Sequence, residues 1–381
     1  MVLFPILIFI CYFALVAILI IGWNRLVRKS AVSAVTNRFF VSVIIPTRNE
    51  SSNISHLLGD LEYQSYTDYE VIVVDDHSED DSKEIVKGFV KKNTRFRTVS
   101  SSREGKKTAL TLGIRSAKGS IIITTDADCR VTSEWLSSLV GCFHNDNVKM
   151  VIAPVKMEGN SLFSDFQSLE FASLIGSGMA MASWKFPVMC NGANLAFRKS
   201  VFEEVDGYQG NFHIPSGDDE FLMRKVLNAY PAGINVSSSK QSVVTTLPNR
   251  TFSEFCQQRI RWAGKWSANH SFVSRLLGLF VFCFQLTIVL IPLFLAIKWI
   301  DAGTCLALLL VKAALELLFL KKVTLGLGIR WSWISFVILQ IIYPAYVVVI
   351  GVLSRFTSFV WKGRKLKSLT VSEKLNEEIS G

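Results

Sequence analysis

The sequence has no Cys-x-x-Cys pair, and its seven cysteines are scattered, several of them inside apolar runs. That pattern argues for reduced, buried thiols and against a disulfide framework or a zinc knuckle. No zinc-finger, RNP or similar motif is present, so the formal net charge of +10 and the pI near 9.2 do not point to nucleic acid. Much of that excess flanks apolar segments instead, as contact with an anionic cytoplasmic leaflet requires. Basic residues are also missing ahead of the first apolar run, residues 2–21; Arg25, Arg28 and Lys29 follow it. A cleaved signal peptide has the opposite order and a small-residue cleavage site. The run can cross a hydrocarbon core of roughly 30 Å. Its charge order predicts an uncleaved anchor over 1–23, with the N-terminus outside and the following chain cytoplasmic.

Half of the 381 residues are hydrophobic and the mean hydropathy is +0.35, with the excess gathered at the two ends. A basic linker is expected at 24–38, an α/β domain at 39–250, an interfacial helix at 251–275, apolar helices at 276–353 and a basic tail at 354–381. Within the apolar part, 276–297 and 333–353 read as spans. The shorter stretch 304–320 carries Lys312 and Glu316, four residues apart and able to pair. An unpaired charge at the bilayer centre costs roughly 2.5–3.5 kcal/mol. Three crossings would leave the tail outside, yet Arg355, Lys362, Arg364, Lys365 and Lys367 prefer the cytoplasmic face. A re-entrant or interfacial course for 304–320, or a reversed N-terminus, resolves that conflict.

Between the apolar ends, strands are expected at 39–46, 69–74, near 96–99 and at 121–124, each followed by a polar loop and a helix. This alternation predicts a mostly parallel, doubly wound sheet with its loops clustered along one edge. The stretch Ile121 to Arg130, IIITTDADCR, is the centre of that arrangement. Its apolar run suits a buried strand, and ligands bind beyond the carboxyl ends of such strands. Asp126 and Asp128 emerge there and can offer oxygens to one hard cation, which commonly bridges to a diphosphate. Cys129, next to Asp128, reads as a packing residue rather than a ligand.

The ordered segments VSVIIPTRNE, VIVVDDHSED, EGKKTAL and TTDADC resemble the nucleotide half of a family-2 inverting glycosyltransferase with a GT-A fold. NGANLAFRKSVFEEVDGY, SGDDEFLMRK and QQRIRWAGKW resemble the acceptor half, so the resemblance runs from about Val41 to Trp266. Gln258-x-x-Arg261-Trp262 is similar to the signature of cellulose, chitin, hyaluronan and poly-N-acetylglucosamine synthases, with a related form in ceramide glucosyltransferases.

The resemblance implies roles residue by residue. Thr47 and Glu50 match the segment that contacts uracil and ribose; helix capping is the competing reading. Asp76 matches the nucleoside aspartate, with Asp75 as its partner, against the plainer reading of a solvated turn. Lys106, or Lys107 as the fallback, would lie near the phosphates. Asp126 and Asp128 would hold Mg²⁺ or Mn²⁺, with Asp126 shared with the ribose. Asp218 and Asp219 would carry the acceptor side, with Asp219 as the base and Asp218 and Glu220 as alternatives; acids favoured by a helix dipole are the structural explanation. Gly192, Asn194 and Arg198 match an acceptor-side wall, with close backbone approach at Gly192 and a sugar contact at Asn194. Trp184 and Phe186 would stack on a sugar or sit in the core. Arg261 would bind the diphosphate and Trp262 floor the acceptor site beside Gln258, on a helix that also reads as interfacial.

The whole predicts a multi-pass membrane enzyme with a cytoplasmic catalytic domain, taking a UDP-sugar to a lipid-linked or polysaccharide acceptor. About four apolar segments are few for a complete synthase with its own channel, so a separate exporter would serve a polymeric product. A processive synthase and an inactive membrane scaffold are the alternatives. The presence of Asp126, Asp128 and Asp219 together counts against the scaffold.

Overall fold

The computed structural model describes residues 3–28, 39–212, 214, 217–264 and 272–356, and the backbone of 359–361 and 364–366. Its helices are α1 Leu3–Arg28, α2 Ile54–Glu62, α3 Ser82–Lys92, α4 Lys106–Ser116, α5 Trp135–Val140, α6 Leu162–Ser183, α7 Lys199–Glu204, α8 Asp218–Ala229, α9 Phe252–Gly264, α10 Phe272–Val289, α11 Ile291–Ala296, α12 Ala302–Leu327 and α13 Trp333–Leu353. The strands are β1 Val41–Thr47, β2 Tyr69–Asp75, β3 Phe96–Ser100, β4 Ile121–Thr124, β5 Met150–Ile152, β6 Val155–Met157, β7 Leu195–Arg198, β8 Ile234–Val236 and β9 Val244–Thr246, with a terminal hairpin of β10 Phe359–Trp361 and β11 Arg364–Leu366.

Seven strands form one sheet in the order β3-β2-β1-β4-β7-β5-β8. β1 is parallel to both β2 and β4, and β2 to β3, as the alternation of strands and helices predicts. Both faces are buried because successive side chains of each apolar strand point opposite ways. Val43, Ile45 and Ile123 join one core with α2 and α5, while Ile44, Ile122 and Val74 join another with α4 and α8.

β7 runs antiparallel to β4 and β5, which strand propensity cannot foretell. Thr124 Oγ1 donates to the Gly192 carbonyl at 2.7 Å, so the chain enters β7 at the carboxyl end of β4 and has to run back along it. That return brings Gly192 beside the Asp126 loop. Gly119 lies two residues before β4 where there is no room for a side chain: a methyl there would lie 2.5 Å from the Ser42 backbone nitrogen. Gly119→Ala is expected to destabilise the protein by about 1–3 kcal/mol through backbone displacement. Gly59→Ala in α2, where the added methyl meets open space, should not lower the thermal midpoint. Equal midpoints for the two variants would contradict this.

Among the described residues, four helices are long and apolar enough to cross a membrane: Pro5–Arg28, Phe272–Val289, Ala302–Leu327 and Trp333–Leu353. Several boundaries differ from expectation. α1 does not stop at 23 but continues to Arg28, with Val16, Leu19, Trp23 and Leu26 in the same core as β1 and β2. Residues 29–38 of the expected linker lie outside the described residues, as do 265–271 of the expected interfacial helix and 367–381 of the tail. The span expected over 276–297 is broken after Val289, where Pro292 opens α11 and lacks the N–H that would continue the ladder.

The 304–320 stretch lies inside a longer helix. α12 has 26 residues, about 39 Å at 1.5 Å per residue, and so is long enough to span. Lys312 and Glu316 do pair, at 2.9 Å, and Glu316 also accepts from Tyr12 (2.6 Å) and Gln340 (2.7 Å). This satisfied cluster ties α12 to α1 and α13. α13 in turn stays close to the α/β domain: Phe336 lies in one core cluster with Phe166 and Phe255, and about three turns on Tyr346 stacks on Phe255 at 5.6 Å.

Candidate active site

The carboxyl ends of β1 and β2 carry two loops that interlock. Arg48 Nη1 donates to the carbonyls of Asp76 and His77 (3.0 and 3.2 Å), and the Glu50 N–H donates to Ser82 Oγ (2.8 Å). Asn49 and His77 both adopt positive φ, 50° and 59°, where the loops turn. Thr47 and Glu50 are buried at the foot of this structure; Glu50 accepts from Asn53 Nδ2 at 2.9 Å. Asp75 accepts from the Ser78 N–H (3.2 Å) and pairs with Lys83 (3.2 Å).

Asp76 receives the Gly105 N–H on both oxygens, at 3.0 and 3.2 Å. Gly105 has φ +123°, a conformation that needs glycine. The end of β2 therefore sets where α4 begins, and with it Lys106. Lys106 Nζ lies 2.7 Å from Asp126 Oδ1 and 3.9 Å from Asp218 Oδ2. Burial works against its charge, but Asp126, Asp218 and Asp219 outweigh that and hold the ammonium above its ordinary value. Lys107 points elsewhere. Its ammonium is buried and donates to the carbonyls of Asn211 and Ile214, both at 2.6 Å.

Asp126 and Asp128 sit in the turn after β4, latched by a backbone pair between Arg130 and Thr245. Asp128 Oδ2 accepts from Thr246 Oγ1 at 3.4 Å. Cys129 is 1% exposed and packs beneath the turn, where burial and then Asp128 push its thiol up. Among the described residues no three His, Cys, Asp or Glu side chains converge as a closed metal cage. A two-carboxylate site still fits Mg²⁺ or Mn²⁺, which take one or two carboxylates and complete their shell with water and phosphate. Charge agrees: Asp126, Asp218 and Asp219 outnumber Lys106 and Arg261 before Asp128 is counted.

α8 opens at Gly217 (φ +82°) with Asp218, Asp219 and Glu220 in its first turn, where the helix dipole favours acids. Asp219 Oδ2 accepts from the Gly192 N–H at 3.0 Å and Oδ1 from the Glu220 N–H at 2.8 Å. Gly192 leaves room for this approach: a methyl there would lie 3.2 Å from Asp218 Oδ2, a tight contact. Glu220 pairs with Arg224 at 2.8 Å, and Arg224 reaches Ser274 of α10 at 2.9 Å.

Two residues of the expected acceptor wall belong elsewhere. Asn194 is fully buried; its amide donates to the carbonyls of Pro154 (2.6 Å) and Ser242 (2.7 Å) and accepts from Trp135 Nε1 (3.1 Å). It stitches β7 to neighbouring segments and does not face a sugar. Arg198 pairs in register with Ile121, at the start of β4, so it lies at the opposite edge of the sheet from Asp126. Trp184 is neither core nor at the cluster: its Nε1 donates to Ile18 of α1 at 3.2 Å, and Arg25 lies over its ring.

From α9, Arg261 enters the field of the same three carboxylates, Asp126, Asp218 and Asp219. Burial lowers its pKa, and these acids work against that. Gln258 Oε1 accepts from Asn249 Nδ2 (2.9 Å) and from Arg259. Trp262 lies on Arg259 (4.3 Å) and Phe171 (5.8 Å). Sequence reasoning missed three residues here: Tyr208, whose hydroxyl pKa is raised by burial and then by Asp218 and Asp219, and the buried pair Arg259–Glu170. Glu170 was findable as the one acid within the apolar stretch SLEFASLIG.

Residues 42–206 match the family model described as Glycosyl transferase family 2. A 231-residue stretch is 27% identical to the glycosyltransferase AglE of Haloferax volcanii, covering 58% of this chain and 71% of that protein. A 230-residue stretch is 24% identical to poly-beta-1,6-N-acetyl-D-glucosamine synthase of Staphylococcus epidermidis, 58% of this chain but only 53% of that one. The fold is also that of a mannosyltransferase from Pyrobaculum calidifontis solved with GDP-Man and Mn²⁺, with TM-score 0.57 at 18% identity over 92% of this chain and 98% of that one. Residues 42–206, less than half of the chain, thus match a glycosyltransferase family 2 model, and the fold is a GT-A fold flanked, among the described residues, by four helices able to span a membrane.

Proposed function

We propose that this chain is a membrane-bound inverting glycosyltransferase that moves a sugar from a nucleotide sugar to a lipid-linked or glycan acceptor. The observation that carries this reading is the meeting of Lys106 and Arg261 with Asp126, Asp218 and Asp219 at the carboxyl edge of the sheet. A UDP-sugar is the first choice of donor, because the resemblance of VIVVDDHSED gives Asp76 the role of the nucleoside aspartate.

Asp219, fixed by two backbone N–H groups, takes the proton of an acceptor hydroxyl as that oxygen attacks the anomeric carbon. The new C–O bond forms on the face opposite the breaking bond to the diphosphate, so configuration inverts. Lys106 and Arg261 offset the charge that builds on the departing nucleoside diphosphate. Asp126 and Asp128 would hold Mg²⁺ or Mn²⁺, which when bound adds Lewis-acid compensation for the same charge.

Four apolar helices among the described residues make a small membrane part, which favours a lipid-linked acceptor, or chain extension served by a separate exporter. Nucleotide sugars are cytoplasmic, and so the catalytic domain is assigned to that side of the cell membrane. The test uses the purified protein in lipid with a panel of radiolabelled nucleotide sugars and Mg²⁺ or Mn²⁺. Label is expected in the organic-soluble fraction and is expected to vanish when EDTA removes the cation. Label in high-molecular-weight polymer would favour the processive alternative, and no turnover or binding of any sugar would sink the enzyme reading.

A further inference from the structure

Two buried charges stand apart from the carboxylate cluster and take part in none of the steps above. The side chains of Glu170 in α6 and Arg259 in α9 are 2% and 3% exposed. Arg259 donates from Nε and Nη2 to Glu170 Oε1 and Oε2, at 3.1 and 2.5 Å, in a two-pronged pair. Its guanidinium is flanked by rings of its own helix, Phe255 at 4.6 Å and Trp262 at 4.3 Å. The remaining arm, Nη1, donates to Gln258 Oε1. Tyr346 of α13 donates to the same Glu170 oxygen at 3.4 Å, so a membrane helix shares the dock.

Burial as such does not explain this pair, since apolar residues of similar volume commonly replace a buried ion pair at no loss of stability. A planar fork does something that apolar packing does not: it fixes rotation. Residues two apart on a helix are separated by about 200°. Arg259 held against α6 therefore turns Arg261 to the far side of α9, where Asp126, Asp218 and Asp219 act on it. Phe255 and Trp262, at i−4 and i+3, fall on the Arg259 side, which is where they pack.

We propose that Glu170 and Arg259 are a positioning pair that sets the rotation of α9 and so aims Arg261 at the carboxylate cluster. The proposal rests on the transfer reading given above. Gln258 and Trp262 belong to this clasp through their contacts with Arg259.

The test uses the full chain in lipid. Arg259→Lys keeps the charge but loses the fork. It is expected to slow single-turnover transfer by up to about 10²-fold, the effect of a small misplacement, and to speed amide hydrogen exchange across 252–264. Adding Arg259→Lys to Arg261→Ala should cost less than about threefold more, because Arg259 acts through Arg261. Multiplicative losses would overturn the proposal. Should Arg259→Lys fail to fold, the apolar double variant Glu170→Leu/Arg259→Met replaces it. That variant is expected to be stable but slow, and wild-type rates from it would also overturn the proposal. If the wild type turns over no nucleotide sugar, the transfer reading fails by itself. The clasp is then judged by exchange alone: faster exchange in α9 at an unchanged thermal midpoint supports it, and unchanged exchange refutes it.

Discussion

Asp219→Asn is expected to leave a folded, lipid-inserted protein whose transfer rate falls about 10²- to 10⁴-fold, the usual contribution of a general base. Asparagine has nearly the shape of aspartate and can still accept the Gly192 N–H that holds Oδ2 at 3.0 Å. It cannot take a proton at neutral pH. Because the loss concerns the acceptor proton and not the donor, kcat and kcat/KM should fall together while the KM for the nucleotide sugar stays near wild type. Asp218→Asn is the control that decides between neighbours. Asp218 Oδ2 lies 3.9 Å from Lys106, so its loss should act on the donor side instead. A wild-type rate from Asp219→Asn, or the larger kcat loss from Asp218→Asn, would move the base to another carboxylate.

Arg261→Ala should lower kcat by about 10²- to 10³-fold, the range seen when one group aimed at developing charge is removed. Three carboxylates act on Arg261 and Lys106 alike, so deleting one of these two cations leaves the cluster strongly negative toward an incoming diphosphate. Nucleoside diphosphate binding should weaken as well, measured by calorimetry on the protein in detergent. Arg261→Lys should recover part of the rate, since a point charge replaces some of the field but not the two-pronged geometry. An alanine variant that binds diphosphate and turns over like wild type would remove Arg261 from the reaction.

The site was legible in unequal parts. The Asp126 turn follows an apolar strand directly, so reading the strand locates the side chain; Lys106 opens α4, where Asp76 holds the Gly105 N–H. Asn194 and Arg198 failed as acceptor contacts for one common reason: β7 leads away from the site. Leu195 pairs with Thr124 at the carboxyl edge, whereas Arg198 pairs with Ile121 at the other, and Asn194 turns inward to bind three partners. Glu170 and Arg259 are 89 residues apart, and neither predicts the other.

By itself the sequence determined the alternating α/β order, the parallel pairing of β1, β2 and β4, and the loop that carries Asp126. These follow from local physics, because short apolar β-branched runs make buried strands and charges collect where such strands end. It also determined that the chain's two ends are apolar over lengths that suit a membrane. Only the tertiary structure decided the direction of β7, the union of α1 with the domain core, the unbroken course of α12 and the docking of α9 on α6. Each of these depends on contacts between segments far apart in sequence, which neither periodicity nor motif spacing encodes. The rotation of α9 is the plainest case: QxxRW marks the helix, but the Glu170 carboxylate on α6 is what holds Arg259 and leaves Arg261 facing the acids.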